Sequence, residues 1–269
     1  MNPEPADAPA SVPPADAAHP AWHYTPADDL DKSLTERLRR FPRRPDMLVY
    51  AARAAAALAI RAWLRSFHRF SIIGRQHLPR EKSFVLVCNH ASHLDAVCLQ
   101  AALPLAKLHR AFSAAACDYF FESVPLTWVA AVVANALPFS REVHVRQSLR
   151  LCEQLLQNPG NVLILFPEGT RSATGQIGRF KPGIGSLLAG CDIVAVPCHL
   201  AGAHAAWPKG ASLPRPAKLM LRIGSPRTYA HIASGKPGAL EVAADLEQSV
   251  RALASDASAP SDTRTKQSA

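Results

Sequence analysis

Apolar and polar positions along this chain change their spacing several times, and the changes mark out its elements. Five short apolar runs, often with β-branched residues, occur at Ser83 to Cys88, Arg110 to Ala116, Asn161 to Phe166, Ile193 to His199 and Lys218 to Ile223. Runs of this length between turn-forming residues predict strands. Asp95 to Ala102, Pro125 to Ala134, Val143 to Gln157, Ile184 to Ala189 and Ala239 to Ala254 predict helices. Strands alternating with helices at this spacing predict one α/β domain, built on a mixed, largely parallel sheet flanked by helices. Functional groups are then expected at the carboxyl ends of the strands.

Upstream of the first strand, Met47 to Phe70 is rich in alanine and leucine, with Pro45 near its start, and predicts a helix. Its longest uncharged run, Ala54 to Ile60, falls far short of the roughly 20 residues that cross a bilayer. At about 100° per residue, Arg53, Arg61, Arg65 and His68 fall within roughly a third of the circumference. The helix is therefore expected to be basic and amphipathic, lying in a membrane interface with its arginines at the headgroups. The alternative is a surface helix packed on the core.

Charge divides the chain. Residues 1–32 hold six acids against Lys32 alone, so of a net +9 the remainder carries +14. A body this basic favours an anionic partner. The first 32 residues are also dense in proline, alanine and aspartate, and are expected to be disordered, as is 255–269. Neither a basic nor an apolar leader segment is visible at the N-terminus. Six cysteines are scattered without a CxxC pair, mostly in apolar stretches, which favours reduced, packed thiols and a cytosolic setting. No His or Cys spacing suggests a metal. Aromatic residues make up only 7%, with no aromatic-basic platform, which argues against nucleic acid as the partner.

Two runs carry chemistry. In Asn89-His90-Ala91-Ser92-His93-Leu94-Asp95 a histidine follows directly on a predicted strand, with a carboxylate five residues on. If the chain turns there, Asp95 can fix the tautomer of His90 and leave the second ring nitrogen to take a proton from a substrate hydroxyl. The same residues also read as a helix start, because Ser92-x-x-Asp95 is a capping-box spacing. His93 reads as a solvated side chain. In Phe166-Pro167-Glu168-Gly169-Thr170-Arg171-Ser172 a turn exposes Arg171, whose guanidinium can bind a phosphate through paired hydrogen bonds. Glu168 either holds a substrate hydroxyl, braces Arg171 or is a plain turn residue. Arg141, in a strand-like segment, and Lys181 are further cations.

The two runs, in this order and some 75 residues apart, resemble the NHxSxxD and FPEGTRS blocks of the glycerolipid acyltransferases. Val196-Pro197 resembles that family's last block; Phe139-Ser140-Arg141 matches its second only approximately, lacking the usual preceding glycine. The resemblance spans about residues 70–226 and implies an acyltransferase domain over 71–254, preceded by the helical segment over 33–70 that its own pattern marks as membrane-interfacial. It implies His90 as base and Asp95 as its orienter, with Arg141, Glu168, Gly169, Thr170, Arg171 and Lys181 around the substrate. The implied acceptor is a lysophospholipid, above all 1-acylglycerol-3-phosphate; another lysolipid acceptor, such as a lyso-ornithine lipid, and a non-catalytic membrane adaptor are the alternatives. Acyl-CoA or acyl carrier protein is the implied donor, with no further cofactor, at the cytoplasmic face of a membrane as a peripheral or monotopic protein. Turn N–H groups near Gly169 or at the helix start by Ser92 are candidate donors to the oxyanion, and the sequence does not single out which.

Overall fold

A computed structural model describes residues 47–116, 136–139 and 145–255. The expected helix Pro125–Ala134, Arg141, and the expected tails apart from Ser255 lie outside the described residues.

The chain enters on helix α1 (Met47–Phe67) and runs through β1 (Ser71–Ile73), β2 (Phe84–Cys88), α2 (Leu94–Ala102), β3 (Ala111–Ala116) and β4 (Ala136–Phe139). It continues as α3 (Val145–Gln157), β5 (Val162–Leu165), α4 (Gly183–Leu188), β6 (Val194–Ala201), the single turn α5 (Ala203–Ala206), β7 (Met220–Ile223) and α6 (Lys236–Ser255). Seven strands form one sheet in the order β1-β7-β6-β2-β5-β3-β4. Every neighbouring pair is parallel except β6 and β7, so the sheet is mixed and largely parallel, as the alternation of elements predicts.

Strand periodicity splits the core in two. Phe84, Leu86 and Cys88 of β2, with Ile164, Val196 and Leu221, face Leu64 of α1 and Leu94, Cys98 and Leu99 of α2. Val85, Val87, Leu163 and Ala195 face the other way, onto Cys152 of α3, Leu187 and Leu188 of α4, and Val242, Leu246 and Val250 of α6. With both faces covered, β2 carries no polar side chain among its five buried residues. Among the described cysteines all five are free and four are buried, packing as small hydrophobes.

Helix α1 is amphipathic in the opposite sense to the one expected. Arg53 is only 5% exposed and His68 is fully buried, while Leu48 is 82% and Leu58 54% exposed, on a face shared with Ala51, Ala55, Ala59 and Ala62. Arg61 turns inward because α2 ends there. The last carbonyls of a helix lack intrahelical partners and carry partial negative charge. Arg61 donates from a guanidinium nitrogen to the Leu103 carbonyl, and Arg75 donates from Nε to the Ala102 carbonyl at 2.9 Å. Only Arg65 of the expected basic stripe is exposed, so the outward face of α1 is apolar. At 21 residues the helix is also long and apolar enough, by length and composition, to cross a membrane.

Strands β2 and β5 are parallel neighbours, with Val87 paired to Leu165. Whatever follows each strand therefore emerges side by side at the same sheet edge, and both chemistry-bearing runs do so.

The turn of α4 packs so tightly on α6 that a Cβ at Gly185 would lie 1.9 Å from the Ala239 carbonyl oxygen. Gly185→Ala is therefore expected to force the two helices apart and cost about 1–3 kcal/mol or more, the usual penalty of overpacking, seen as a lowered melting temperature. A second consequence concerns pH. Burial, and then the Arg222 charge, lower the pKa of His199 from its ordinary 6.5 to about 4; burial also lowers that of His68. The His199 ring stays neutral in the fold while the unfolded chain takes up protons below about 6.5, so its share of stability is lost as pH falls from 6.5 toward 4; His68 acts in the same direction. Melting curves from pH 7 to 4.5 should fall, and His199→Asn should flatten part of that fall; identical slopes would show that His199 does not contribute.

Candidate active site

Beyond β2 the chain makes a tight turn before α2, and three hydrogen bonds to one atom hold it. Asp95 Oδ2 accepts from His90 Nδ1 at 2.8 Å, from the Ala91 N–H at 2.7 Å and from the Ser92 N–H at 2.8 Å. The carboxylate is completely buried, and the His90 side chain keeps 16% exposure. Ser92 Oγ meanwhile accepts from the Leu94 N–H at 3.1 Å and donates to the Trp207 carbonyl at 2.8 Å. The helix-start reading and the base-orienter reading are geometrically compatible, because one carboxylate oxygen accepts both from the Ser92 N–H and from the His90 ring. With Nδ1 donating to Asp95, the neutral ring has Nε2 as its bare nitrogen. Phe166 stacks on the imidazole, with centroids 4.2 Å apart and planes 15° off parallel.

Asn89 ties the turn to the neighbouring strand. Its Oδ1 accepts from the Leu200 N–H at 2.9 Å and its Nδ2 donates to the Leu200 carbonyl at 3.2 Å, so the side-chain amide imitates a strand partner at the end of β6.

The second run docks on the first through paired bonds. Glu168 Oε1 accepts from the His90 N–H at 2.8 Å, and the Ser172 N–H donates to the His90 carbonyl, also at 2.8 Å. Glu168 Oε2 accepts from the Gly178 N–H at 2.9 Å. Glu168 is 7% exposed; burial raises its carboxyl pKa while the two N–H groups pull the other way. Of the roles open to it in the sequence, the geometry displays a strut that ties the turns of His90 and Gly178 together.

Gly169 has a φ of +72°, a region that favours glycine, and its N–H closes the turn onto the Phe166 carbonyl at 3.0 Å. A Cβ there would lie 2.7 Å from Lys181 Nζ, so the exposed lysine runs across the bare Cα. Thr170 is exposed at the tip of the turn. Arg171 is half-buried and donates from Nη1 to His93 Nε2. His93 is accordingly not the solvated side chain expected. Burial, then the charges of Arg171 and His90, lower its pKa to about 4. Arg171 and Lys181 thus stand on the loops that surround His90, whereas Arg141 lies outside the described residues.

The N–H groups expected to meet an oxyanion are engaged elsewhere. That of Gly169 goes to Phe166, and those of Ala91 and Ser92 go to Asp95. Phe166, Asn89 and the link between His93 and Arg171 are features that sequence reasoning missed. For Phe166 the signal was its place after the strand beside β2; for His93 there was none, since its partner is 78 residues away.

Comparison with known proteins agrees with this arrangement. Residues 69–201 match the family model described as Acyltransferase. A chloroplastic 1-acyl-sn-glycerol-3-phosphate acyltransferase from Arabidopsis thaliana is 31% identical over 147 residues, covering 54% of this chain and 39% of its own. A 1-acyl-sn-glycerol-3-phosphate acyltransferase from Cocos nucifera is 29% identical over 144 residues, covering 53% and 45%. The chain thus spans less than half the length of these relatives. The crystal structure of the 1-acyl-sn-glycerophosphate acyltransferase PlsC from Thermotoga maritima superimposes with a TM-score of 0.60 at 21% identity, covering 77% of this chain and 79% of that one, and shares its fold. With both motifs, their joint geometry and the matching fold in one stretch, residues 69–201 are a domain of the Acyltransferase family.

Proposed function

We propose that this protein transfers a fatty acyl group from a thioester of coenzyme A or acyl carrier protein to the free hydroxyl of 1-acylglycerol-3-phosphate, giving phosphatidic acid. The observation that carries this reading is the bond from His90 Nδ1 to a buried Asp95, at the end of a strand and beside a turn that presents Arg171. The relatives named above support the choice of acceptor. His90 Nε2 takes the hydroxyl proton as the oxygen attacks the thioester carbonyl, and Asp95 stabilises the imidazolium that forms. The tetrahedral intermediate collapses by breaking the carbon–sulfur bond, and the imidazolium returns its proton to the departing thiolate. The acyl group passes directly, without a covalent enzyme intermediate. Arg171 and Lys181, with Arg141, hold the phosphate so that the hydroxyl meets the base in a near-attack position. Glu168 fixes the backbone of His90.

A membrane interface supplies both lipids, and the apolar outward face of α1 is the surface that reaches it, at the cytoplasmic leaflet. Hydrophobic contact, rather than arginine at the headgroups, provides the adhesion.

His90→Ala should abolish turnover, measured as transfer of labelled acyl groups from both donors, in a protein that still folds at a lowered melting temperature because Asp95 loses one of its three hydrogen bonds; a folded, fully active variant would refute the scheme. Arg171→Ala should raise the KM for 1-acylglycerol-3-phosphate by about tenfold or more, since a charged hydrogen bond contributes about 1.5–3 kcal/mol. An unchanged KM would point to an acceptor without a phosphate. Leu58→Glu, at a 54% exposed position, should weaken sedimentation with phospholipid vesicles while leaving the melting temperature alone; undiminished binding would place the membrane contact elsewhere.

A further inference from the structure

We propose that His93 is a positioning residue for the acceptor's phosphate: its imidazole accepts a hydrogen bond from Arg171 and so sets where the guanidinium points. The proposal rests on the reading of Arg171 as the phosphate-binding group and extends it to a residue outside that role.

His93 begins α2 but does no capping with its side chain; the capping oxygen is that of Ser92, which accepts from the Leu94 N–H. Its Nε2 instead receives Arg171 Nη1 from the facing turn. An imidazole nitrogen accepts from a guanidinium only when it carries no proton, and half-burial beside a fixed cation keeps this ring in that form. The nitrogen that would have to take up a proton is the one facing Arg171, which separates His93 from the general-base role of His90, three residues earlier.

The ring is itself held in place. It lies against the Trp207 indole, with centroids 5.1 Å apart and planes at 44°. Trp207 is pinned at two points: its carbonyl accepts from Ser92 Oγ at 2.8 Å, and its Nε1 donates to the Ala211 carbonyl at 2.8 Å. Arg171 carries a long, rotamer-rich side chain next to the exposed Thr170, and ordering such a chain has an entropic cost of about 1.5–2 kcal/mol. One edge of the planar fork bonded to a rigid acceptor sets the plane of the remaining donors. The acceptor's phosphate then meets an arginine ordered in advance, which lowers the KM more than it raises kcat, because the arrangement serves ground and transition states alike.

Steady-state kinetics of the full-length protein test this, with 1-acylglycerol-3-phosphate varied at saturating acyl-coenzyme A. His93→Phe keeps an aromatic ring against Trp207 and removes the acceptor; His93→Gln keeps an acceptor oxygen near the place of Nε2. Arg171→Ala and the double variant His93→Phe/Arg171→Ala complete the set. His93→Phe is expected to raise the KM about five- to tenfold with kcat within about twofold, His93→Gln to recover most of that loss, and the double variant to match Arg171→Ala within about twofold. If Arg171→Ala raises the KM and His93→Phe does not, the positioning role is wrong while the phosphate reading stands. If Arg171→Ala leaves the KM unchanged, the phosphate reading fails and takes this inference with it. Equal loss in kcat from both His93 variants, or a double variant additive with the singles, would mean that His93 is structural and would likewise overturn the proposal.

Discussion

One buried oxygen, Asp95 Oδ2, holds the site. A carboxylate taken out of water is costly unless it is hydrogen-bonded, and here Oδ2 takes three bonds from the neighbouring turn, from the His90 ring N–H and the N–H groups of Ala91 and Ser92, while the buried Oδ1 has no hydrogen-bond partner among the described residues. The bonds that stabilise the ion are therefore the ones that bend the chain from β2 into α2 and aim the imidazole. Geometry of the turn and tautomer of the His90 ring are set by a single group, and the position at the start of a helix adds a favourable dipole for the negative charge.

A second carboxylate joins the two motifs. Glu168 reaches from the turn after β5 to the backbone of His90 and to that of Gly178, and Ser172 returns a bond to the His90 carbonyl. These contacts require β2 and β5 to be adjacent and parallel, which the sheet order provides. The use of backbone N–H groups for this bracing leaves those of Ala91, Ser92 and Gly169 engaged within the protein, so the cationic groups on these loops are the side chains of Arg171 and Lys181. Sheet, turn and imidazole thus form one connected arrangement, with the cations standing on its outer loops.

Much of this was legible in the sequence, and the gaps have physical causes. Buried strands announce themselves as continuous apolar runs, so the five strands from β2, β3, β5, β6 and β7 were found nearly to the residue. The three-residue β1 is too short to show a period. His90 and Asp95 could be paired because both lie in one local turn. The helix α1 was recognised, but its basic stripe was assigned to membrane headgroups, since a sequence does not reveal that the open carbonyls at the end of α2 lie under Arg61 and beside Arg75. Glu168 stayed open between a substrate contact, a brace for Arg171 and a plain turn residue for a similar reason: its partners are backbone N–H groups, which every residue carries and which leave no mark in composition. His93 went unread because its partner is remote in sequence and close only once β2 and β5 pair.

The tautomer of His90 is where the account is most exposed. Imidazole nitrogen chemical shifts, read by NMR on protein labelled with nitrogen-15 in histidine and at a pH where the ring is neutral, distinguish the two forms directly. The account predicts a proton on Nδ1, shared with Asp95, and a bare Nε2. A proton on Nε2 instead would contradict it, because the nitrogen meant to receive the substrate's proton would already be occupied.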